Sequence, residues 1–271
     1  MNEITLSHRK KLAYLDIGNA PRTLVCLSGL GCDHYNFEWI QNELSKDFRL
    51  IIIDNRGMGE SEDWQEAYYI RDLARDTLEL LDALEIRTFG VIGISMGGFV
   101  AQELVQLAPG RLSSVAFLCT TSGGDEFHAL PILTDESFRK VAQMGAAGDE
   151  LAVRATVDIN LPTKNSELFH KIVALRTAHP YRLDQVLLQN RAAALFLARK
   201  LSFEHFKAPV LVLHGANDRF VRPENAEILA SKFKHSFHSL IPEGDHLFFL
   251  EKSEQVASEL NNFFNKQWEK L

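Results

Sequence analysis

The sequence predicts an α/β fold in which a doubly wound, mostly parallel sheet is covered by helices and carries a helical insertion. Short apolar stretches typical of strands alternate with longer stretches whose apolar residues recur at helical spacing. The alternation stops near residue 120 and resumes near residue 207, and the segment between shows only helical patterns. We therefore expect residues 1–120 and 207–271 to form the core and residues 121–206 to form a helical cap.

The first half of the chain alternates between the two patterns from its start. Residues 50–53 read Leu-Ile-Ile-Ile, as expected of a strand buried on both faces of a sheet. Other predicted strands are a hairpin at 4–7 and 12–17, then Thr23–Leu27, Phe89–Ile94 and 115–119. Predicted helices occupy 37–44, 70–84 and Met96–Leu107.

The cap and the second half are assigned in the same way. Helical patterns in the cap lie at 136–144, 150–157, 166–177 and 182–199. Beyond the cap, predicted strands at 209–213 and Ser236–Ile241 alternate with predicted helices at 224–233 and 253–264. Because parallel strands end at a common edge of the sheet, we expect the functional groups to lie beyond that edge.

Composition and charge argue against several classes of protein. The 271-residue chain has a formal net charge of −7 and no long basic run, so we expect neither a nucleic-acid nor a membrane partner. Its cysteines, Cys26, Cys32 and Cys119, cannot form a fully paired disulfide framework. The N-terminus lacks a signal-peptide pattern, and we expect a cytoplasmic protein.

A serine flanked by glycines is the sharpest local feature of the sequence. Gly93-Ile94-Ser95-Met96-Gly97 fits the pattern G-x-S-x-G and lies where a predicted strand passes directly into a predicted helix. Such a turn lifts the hydroxyl above the sheet edge, and the glycines avoid collisions with the neighbouring strand and helix. The alternative is an N-cap serine without chemistry. We predict that Ser95 is a nucleophile.

A serine hydroxyl becomes a good nucleophile only when a base takes its proton. Of the ten histidines, His246 is placed best, because it follows a predicted strand and precedes the last predicted helix. Asp218, just after another strand, is predicted to orient the His246 imidazole, and Asp125 is the alternative acid. The order Ser95, Asp218, His246 is that of a catalytic triad in this type of sheet.

An oxyanion formed at the attacked carbonyl needs two hydrogen-bond donors. The backbone N–H groups of Met96, directly after the serine, and Leu30, in the glycine-rich loop after the strand Thr23–Leu27, are the predicted donors. The alternative is that Gly29 and Gly31 only turn the chain.

Other polar residues near these positions are predicted to be structural. Asp245 is expected to be a turn residue, and His214 is expected to matter through its backbone. Asp54 and Arg56 are expected to hold a tight, glycine-rich turn. Since no group of His, Asp or Glu has metal-ligand spacing, we expect no metal and no organic cofactor.

Three motifs make the chain resemble the α/β-hydrolase superfamily over nearly its full length. Residues 93–98 resemble the nucleophile elbow of the serine esterase and lactonase branch, 54–61 resemble its D-x-R-G-x-G-x-S loop, and 214–218 resemble its H-G-x-x-D segment. In general appearance the chain is similar to 3-oxoadipate enol-lactonases, pimeloyl-ester carboxylesterases and haloperoxidase-like esterases. It departs from them at Ser28-Gly29, where these families usually have His-Gly and the histidine braces the oxyanion loop.

The residues and the resemblance together predict a serine hydrolase that cleaves a small-molecule ester or lactone through an acyl-enzyme. We expect a monomer or a homodimer. Two alternatives stay open, because a fold does not determine a function. One is a non-catalytic receptor for a small ligand, and the other is C–C bond hydrolysis or a different reaction on the same three residues.

Overall fold

A computed structural model of the protein describes residues 1–128 and 134–268. Its strands are β1 (Asn2–Thr5), β2 (Lys11–Ile17), β3 (Thr23–Leu27), β4 (Arg49–Ile53), β5 (Phe89–Ile94), β6 (Leu112–Leu118), β7 (Val210–Gly215) and β8 (Ser236–Ile241). They form one sheet in the order β1-β2-β4-β3-β5-β6-β7-β8. The pairs β1–β2 and β2–β4 are antiparallel and the other pairs are parallel. The predicted mostly parallel sheet is confirmed.

The described helices follow the alternation that the sequence predicts. They are α1 (Gln41–Leu44), α2 (Ile70–Ala83), α3 (Met96–Leu107), α4 (Asp135–Gln143), α5 (Ala146–Arg154), α6 (Leu161–Lys164), α7 (Ser166–Ala178), α8 (Leu183–Leu197), α9 (Glu224–Ser231), α10 (Phe248–Glu251) and α11 (Ser253–Trp268). Two 3₁₀ helices occupy His34–Phe37 and Pro109–Arg111.

Helices pack on both faces of the sheet because successive strand residues point to opposite faces. In β3, Val25 and Leu27 belong to the apolar core that contains residues of α2 and α3. Leu24 and Cys26, on the opposite face, belong to the core that contains residues of α11. Every residue of β3 and β5 is buried, as the apolar sequences of these strands predict.

Some elements differ from the sequence prediction. In place of the single helix predicted at 37–44, the structure has a 3₁₀ helix, His34–Phe37, and then the single turn of α1. The 3₁₀ helix begins early because the Asp33 side chain caps it by accepting the Tyr35 N–H. The strand predicted at 115–119 ends at Leu118, and Cys119 has a φ of 42°. The helix predicted at 150–157 is α5, which begins and ends earlier.

Helices α4 to α8 fall within residues 121–206, and the described part of this segment contains no strand. Positions 129–133 of the predicted cap lie outside the described residues. Whether 121–206 is a unit distinct from the rest stays a prediction, and "cap" below denotes these residues. No described helix has the length and apolar character needed to cross a membrane.

A buried ion pair holds the loop after β4 against α2. The Arg56 guanidinium donates to the Asp76 carboxylate at 2.7 Å and lies 4.0 Å from the centre of the Trp64 ring. Both members of the pair are buried, so removing either one would leave the other as an uncompensated buried charge. The structural role predicted for Arg56 agrees with these contacts.

Replacing Arg56 with Met should lower the free energy of unfolding by about 3 kcal/mol, because Asp76 would stay buried with only His8 beside it. Arg75→Met is the matched control, since Arg75 makes an exposed pair with Asp72 that contributes less than about 1 kcal/mol. Urea unfolding of both variants measures the difference. Equal losses of unfolding free energy in the two variants would contradict the structural role of the buried pair.

Candidate active site

Ser95 occupies a strained turn between β5 and α3. Its φ of 51° lies in the left-handed region that L-residues rarely adopt. A Cβ atom at Gly97 would lie 2.0 Å from the Leu27 carbonyl oxygen, and one at Gly93 would lie 2.6 Å from the Gly97 carbonyl oxygen. Any side chain at these two positions would collide with backbone, so the glycines allow the sharp turn that the sequence predicts.

His246 lies in the loop between β8 and α10, at the same sheet edge as Ser95. Its Nε2 is 3.2 Å from the Ser95 Oγ, within reach of a hydrogen bond. His246 is 7% exposed, and the Phe220 ring packs against its ring with the two centres 5.0 Å apart. The structure therefore brings together the serine and the histidine that the sequence singles out.

Asp218 lies on the other side of the His246 ring, with its Oδ2 2.9 Å from Nδ1. The other carboxylate oxygen accepts the N–H groups of Phe220 and Val221, which fix its orientation. Burial would raise the pKa of Asp218, but the charge of His246 and the hydrogen bonds from His214 and His246 outweigh it and hold the pKa below its usual range. Since Asp218 occupies this position, the alternative Asp125, which lies in an exposed turn, does not.

His214 contradicts the sequence prediction that only its backbone matters. Its Nε2 lies 2.7 Å from the Val221 carbonyl oxygen and 3.1 Å from the Asp218 Oδ2, so its ring contacts the acid directly. Asp245 is predicted to be a turn residue; its carboxylate accepts the backbone N–H groups of Arg219 and His246 and pairs with the Arg219 guanidinium.

The loop after β3 runs beside the serine. A Cβ atom at Gly29 would lie 3.5 Å from the Ser95 Cβ. Among the described residues, no acceptor is found for the N–H of Leu30 or of Met96, the two predicted oxyanion donors. The Ser28 hydroxyl donates to the Asp33 carbonyl at 2.7 Å. Ser28 therefore braces the loop from within, although the histidine usual at its position is absent.

The cap braces the same loop from outside. The buried Gln189 of α8 accepts the Gly31 N–H through its Oε1 at 2.9 Å, and the Arg176 guanidinium of α7 donates to the Gly31 carbonyl at 2.9 Å. Sequence reasoning missed both residues. The available signal was a pair of glutamines, Gln185 and Gln189, spaced one helical turn apart among the apolar residues of this helix.

The cap also contacts the loop that carries His246. The Leu247 N–H donates to the Thr156 carbonyl at 2.8 Å. The Glu251 carboxylate accepts the Asp158 N–H at 3.0 Å and the Asp245 N–H at 3.3 Å. Burial raises the pKa of Glu251 to about 7, against the opposing effect of these two hydrogen bonds.

A cavity of about 400 Å³ opens onto Ser95 and His246. Its wall is mostly apolar, with side chains from the core loops and from the cap, and Arg176 is the charged residue among the described cap residues that line it. The Arg176 guanidinium is already engaged, because it donates to Gly31 and to the Tyr35 hydroxyl. An apolar pocket with a few polar groups at one end is typical of a small-molecule site.

Comparison with known proteins gives a consistent result. Residues 22–253 match the family described as the alpha/beta hydrolase fold. The chain is 28% identical over 223 residues to BpoC of Mycobacterium tuberculosis, named as a candidate non-heme bromoperoxidase, with 82% of this chain and 84% of that protein covered.

Two solved structures share the fold. A thermophilic esterase from Thermogutta terrifontis superimposes with a TM-score of 0.80 at 24% identity, over 98% of both chains. The enol-lactonase from Burkholderia xenovorans LB400 superimposes with a TM-score of 0.79 at 22% identity, over 97% of this chain and 100% of that one.

The raised pKa of Glu251 predicts that the stability of the fold depends on pH. Because the pKa lies above its ordinary value of 4.5, the protonated carboxyl stabilises the fold below about pH 4.5, and this contribution is lost as the pH rises through about 7. Between these two pH values, the free energy of unfolding of the wild type should fall by on the order of 2 kcal/mol relative to that of Glu251→Gln. Urea unfolding from pH 4 to pH 8 measures it, and exposed Glu254→Gln is the control. A difference between wild type and Glu251→Gln that does not change with pH would contradict the raised pKa.

Proposed function

The chain belongs to the alpha/beta hydrolase fold family, and from that premise we propose that it is a serine hydrolase that cleaves a small carboxylic ester or lactone. The observation that carries the proposal is the continuous chain of hydrogen-bond distances from the Ser95 Oγ through His246 to Asp218. The similarity in fold to an esterase and to an enol-lactonase supports it.

In the proposed first step, the Ser95 Oγ attacks the carbonyl carbon of the substrate. The His246 Nε2 takes the hydroxyl proton, because it lies within hydrogen-bond reach of that oxygen. Asp218 holds the ring with Nδ1–H toward its carboxylate and stabilises the imidazolium that forms. Since two backbone N–H groups already hold Asp218, the carboxylate does not need to reorient during the reaction.

The negative charge that develops on the carbonyl oxygen is proposed to be held by the N–H groups of Leu30 and Met96. Gly29 and Leu30 line the same cavity as Ser95, and Met96 is the first residue of α3. A helix N-terminus carries a partial positive charge that favours an anion there. Donors of this kind contribute about 3–4 kcal/mol each to transition-state stabilisation.

The proposed second step releases the acid. His246 donates its proton to the leaving alkoxide, and the alcohol departs, which leaves the acyl group esterified to Ser95. His246, neutral again, then takes a proton from water as the water attacks the acyl carbon, and the collapse of this intermediate returns the proton to the Ser95 oxygen. Neither step requires a metal or a redox cofactor.

The cavity indicates the class of substrate. Its apolar wall favours an uncharged acyl or alkyl group, because a charged group against apolar side chains would lose its hydration. A volume of about 400 Å³ is at the small end for ligand pockets, and we propose esters or lactones with short to medium apolar groups.

Replacing Ser95 with Ala tests the nucleophile. The variant should lose p-nitrophenyl butyrate hydrolysis by roughly a millionfold in kcat and should not be labelled by a fluorophosphonate probe, because the attacking oxygen is gone. Ser231→Ala, at an exposed serine of α9, is the control and should keep both. Full activity or full labelling in Ser95→Ala would refute the proposed function.

Replacing Gln189 with Leu tests the brace on the oxyanion loop. The Gly31 N–H would lose its acceptor, the loop would shift, and kcat should fall by at least about tenfold with little change in KM. Gln185→Leu is the matched control, because Gln185 is also buried on α8 but binds the backbone of Trp64 instead. Both variants should lose about 1–3 kcal/mol of stability, and only Gln189→Leu should lose kcat. Equal kcat values would show that the loop holds its position without Gln189.

A further inference from the structure

Two histidines and an aspartate from distant parts of the chain meet where the cap touches the loop after β3. Asp33 and His34 follow the oxyanion loop, and His179 caps the C-terminal end of α7. Their potential ligand atoms all lie within 4.8 Å of one another. The His34 and His179 rings pack edge to face, with their centres 5.2 Å apart.

The distances in this cluster are close to those of a metal site. The Asp33 Oδ1 lies 3.0 Å from the His179 Nδ1 and 3.7 Å from the His34 Nδ1. Ligands bonded to a tetrahedral zinc ion at about 2.0–2.2 Å are separated from one another by roughly 3.3 Å. Small side-chain rotations would therefore bring all three atoms onto one ion.

We propose that Asp33, His34 and His179 form a binding site for a divalent transition-metal ion of the Zn²⁺ type. Two imidazoles and one carboxylate are a ligand set that Zn²⁺ accepts, with water in the fourth position. The ion would join the cap, through His179, to the loop beside Ser95. The site does not depend on the proposed hydrolase activity.

The surroundings favour a cation at this position. Asp54 is fully buried, and its Oδ1 lies 3.1 Å from the His34 Nδ1. The Glu38 carboxylate lies 4.0 Å from the His179 Nε2 and can supply further negative charge. The His179 Nδ1 faces the Asp33 carboxylate, so an ion bound to both would take the place of the proton in that contact, while the His34 Nδ1 faces Asp54.

The Asp33 carboxylate is already oriented, and the two histidines can be reached from solvent. The Asp33 Oδ1 accepts the Tyr35 N–H at 2.9 Å, which fixes the direction of the carboxylate. The side chains of His34 and His179 are 23% and 20% exposed, which allows an ion to enter from solvent.

The test is a titration of chelator-treated protein with Zn²⁺, followed by isothermal calorimetry and by thermal unfolding. The wild type should bind one ion at this site, and at a hundredfold excess over Kd its Tm should rise by about 5 °C, because the ion binds only the folded state. Co²⁺ in place of Zn²⁺ should give the visible absorption bands of a tetrahedral complex with nitrogen and oxygen ligands.

His179→Gln and His34→Gln should each weaken this binding by more than about 100-fold and should remove the Tm rise. His179→Gln removes the ligand from the cap, and His34→Gln removes one from the loop after β3. One variant therefore remains informative if the other folds poorly. The matched control is His170→Gln, since His170 is an exposed histidine of the same helix, α7, that bonds Ser166. His170→Gln should bind like the wild type.

Binding that is the same in His179→Gln, His34→Gln and the wild type would overturn the proposal, as would the absence of any stoichiometric binding. Either outcome would identify the cluster as an ion-pair network only. Calorimetry and Tm report on the site without substrate, so failure of the metal site and failure of the proposed hydrolase activity are distinguishable.

Discussion

The position of the Ser95 hydroxyl, the proposed nucleophile, depends on how closely α3 approaches β3. Only a residue without a side chain fits at Gly97, where a Cβ atom would lie 2.0 Å from the Leu27 carbonyl oxygen. That approach places Ser95 in the left-handed region, a conformation that costs on the order of 1–3 kcal/mol for a residue with a side chain. Hydrogen bonds to the Ser95 backbone offset the strain, because its N–H donates to the Leu118 carbonyl and its carbonyl accepts the Gly98 N–H and the Thr120 hydroxyl. The hydroxyl is thereby held toward His246.

The cap contributes to the site by holding the loops that carry its chemistry. Gln189 and Arg176 hold the backbone of Gly31, next to the proposed oxyanion donor Leu30. Residues 156–158 hold the loop of His246, because the Thr156 carbonyl accepts the Leu247 N–H and the Asp158 N–H donates to the Glu251 carboxylate. The cap thus both encloses the apolar cavity and sets the geometry of two loops.

Much of the fold was predictable because its signals are local. Apolar strands, helical spacing and the glycines around Ser95 lie within short windows of sequence, and they also place His246 and Asp218 at one sheet edge. The role of His214, the brace from Gln189 and the meeting of Asp33 with His179 were not predictable. Each depends on a contact between residues far apart in the chain or on the direction of a buried side chain. Such features produce no periodic pattern in the sequence.

We propose that Ser95, activated by His246, attacks a carbonyl whose oxygen is held by two backbone N–H groups. A crystal structure of the protein after reaction with a phosphonate ester tests this directly. We expect phosphorus bonded to the Ser95 Oγ and a phosphoryl oxygen within roughly 3 Å of both the Leu30 and Met96 nitrogens. An adduct on another residue, or a phosphoryl oxygen directed away from these two groups, would contradict it.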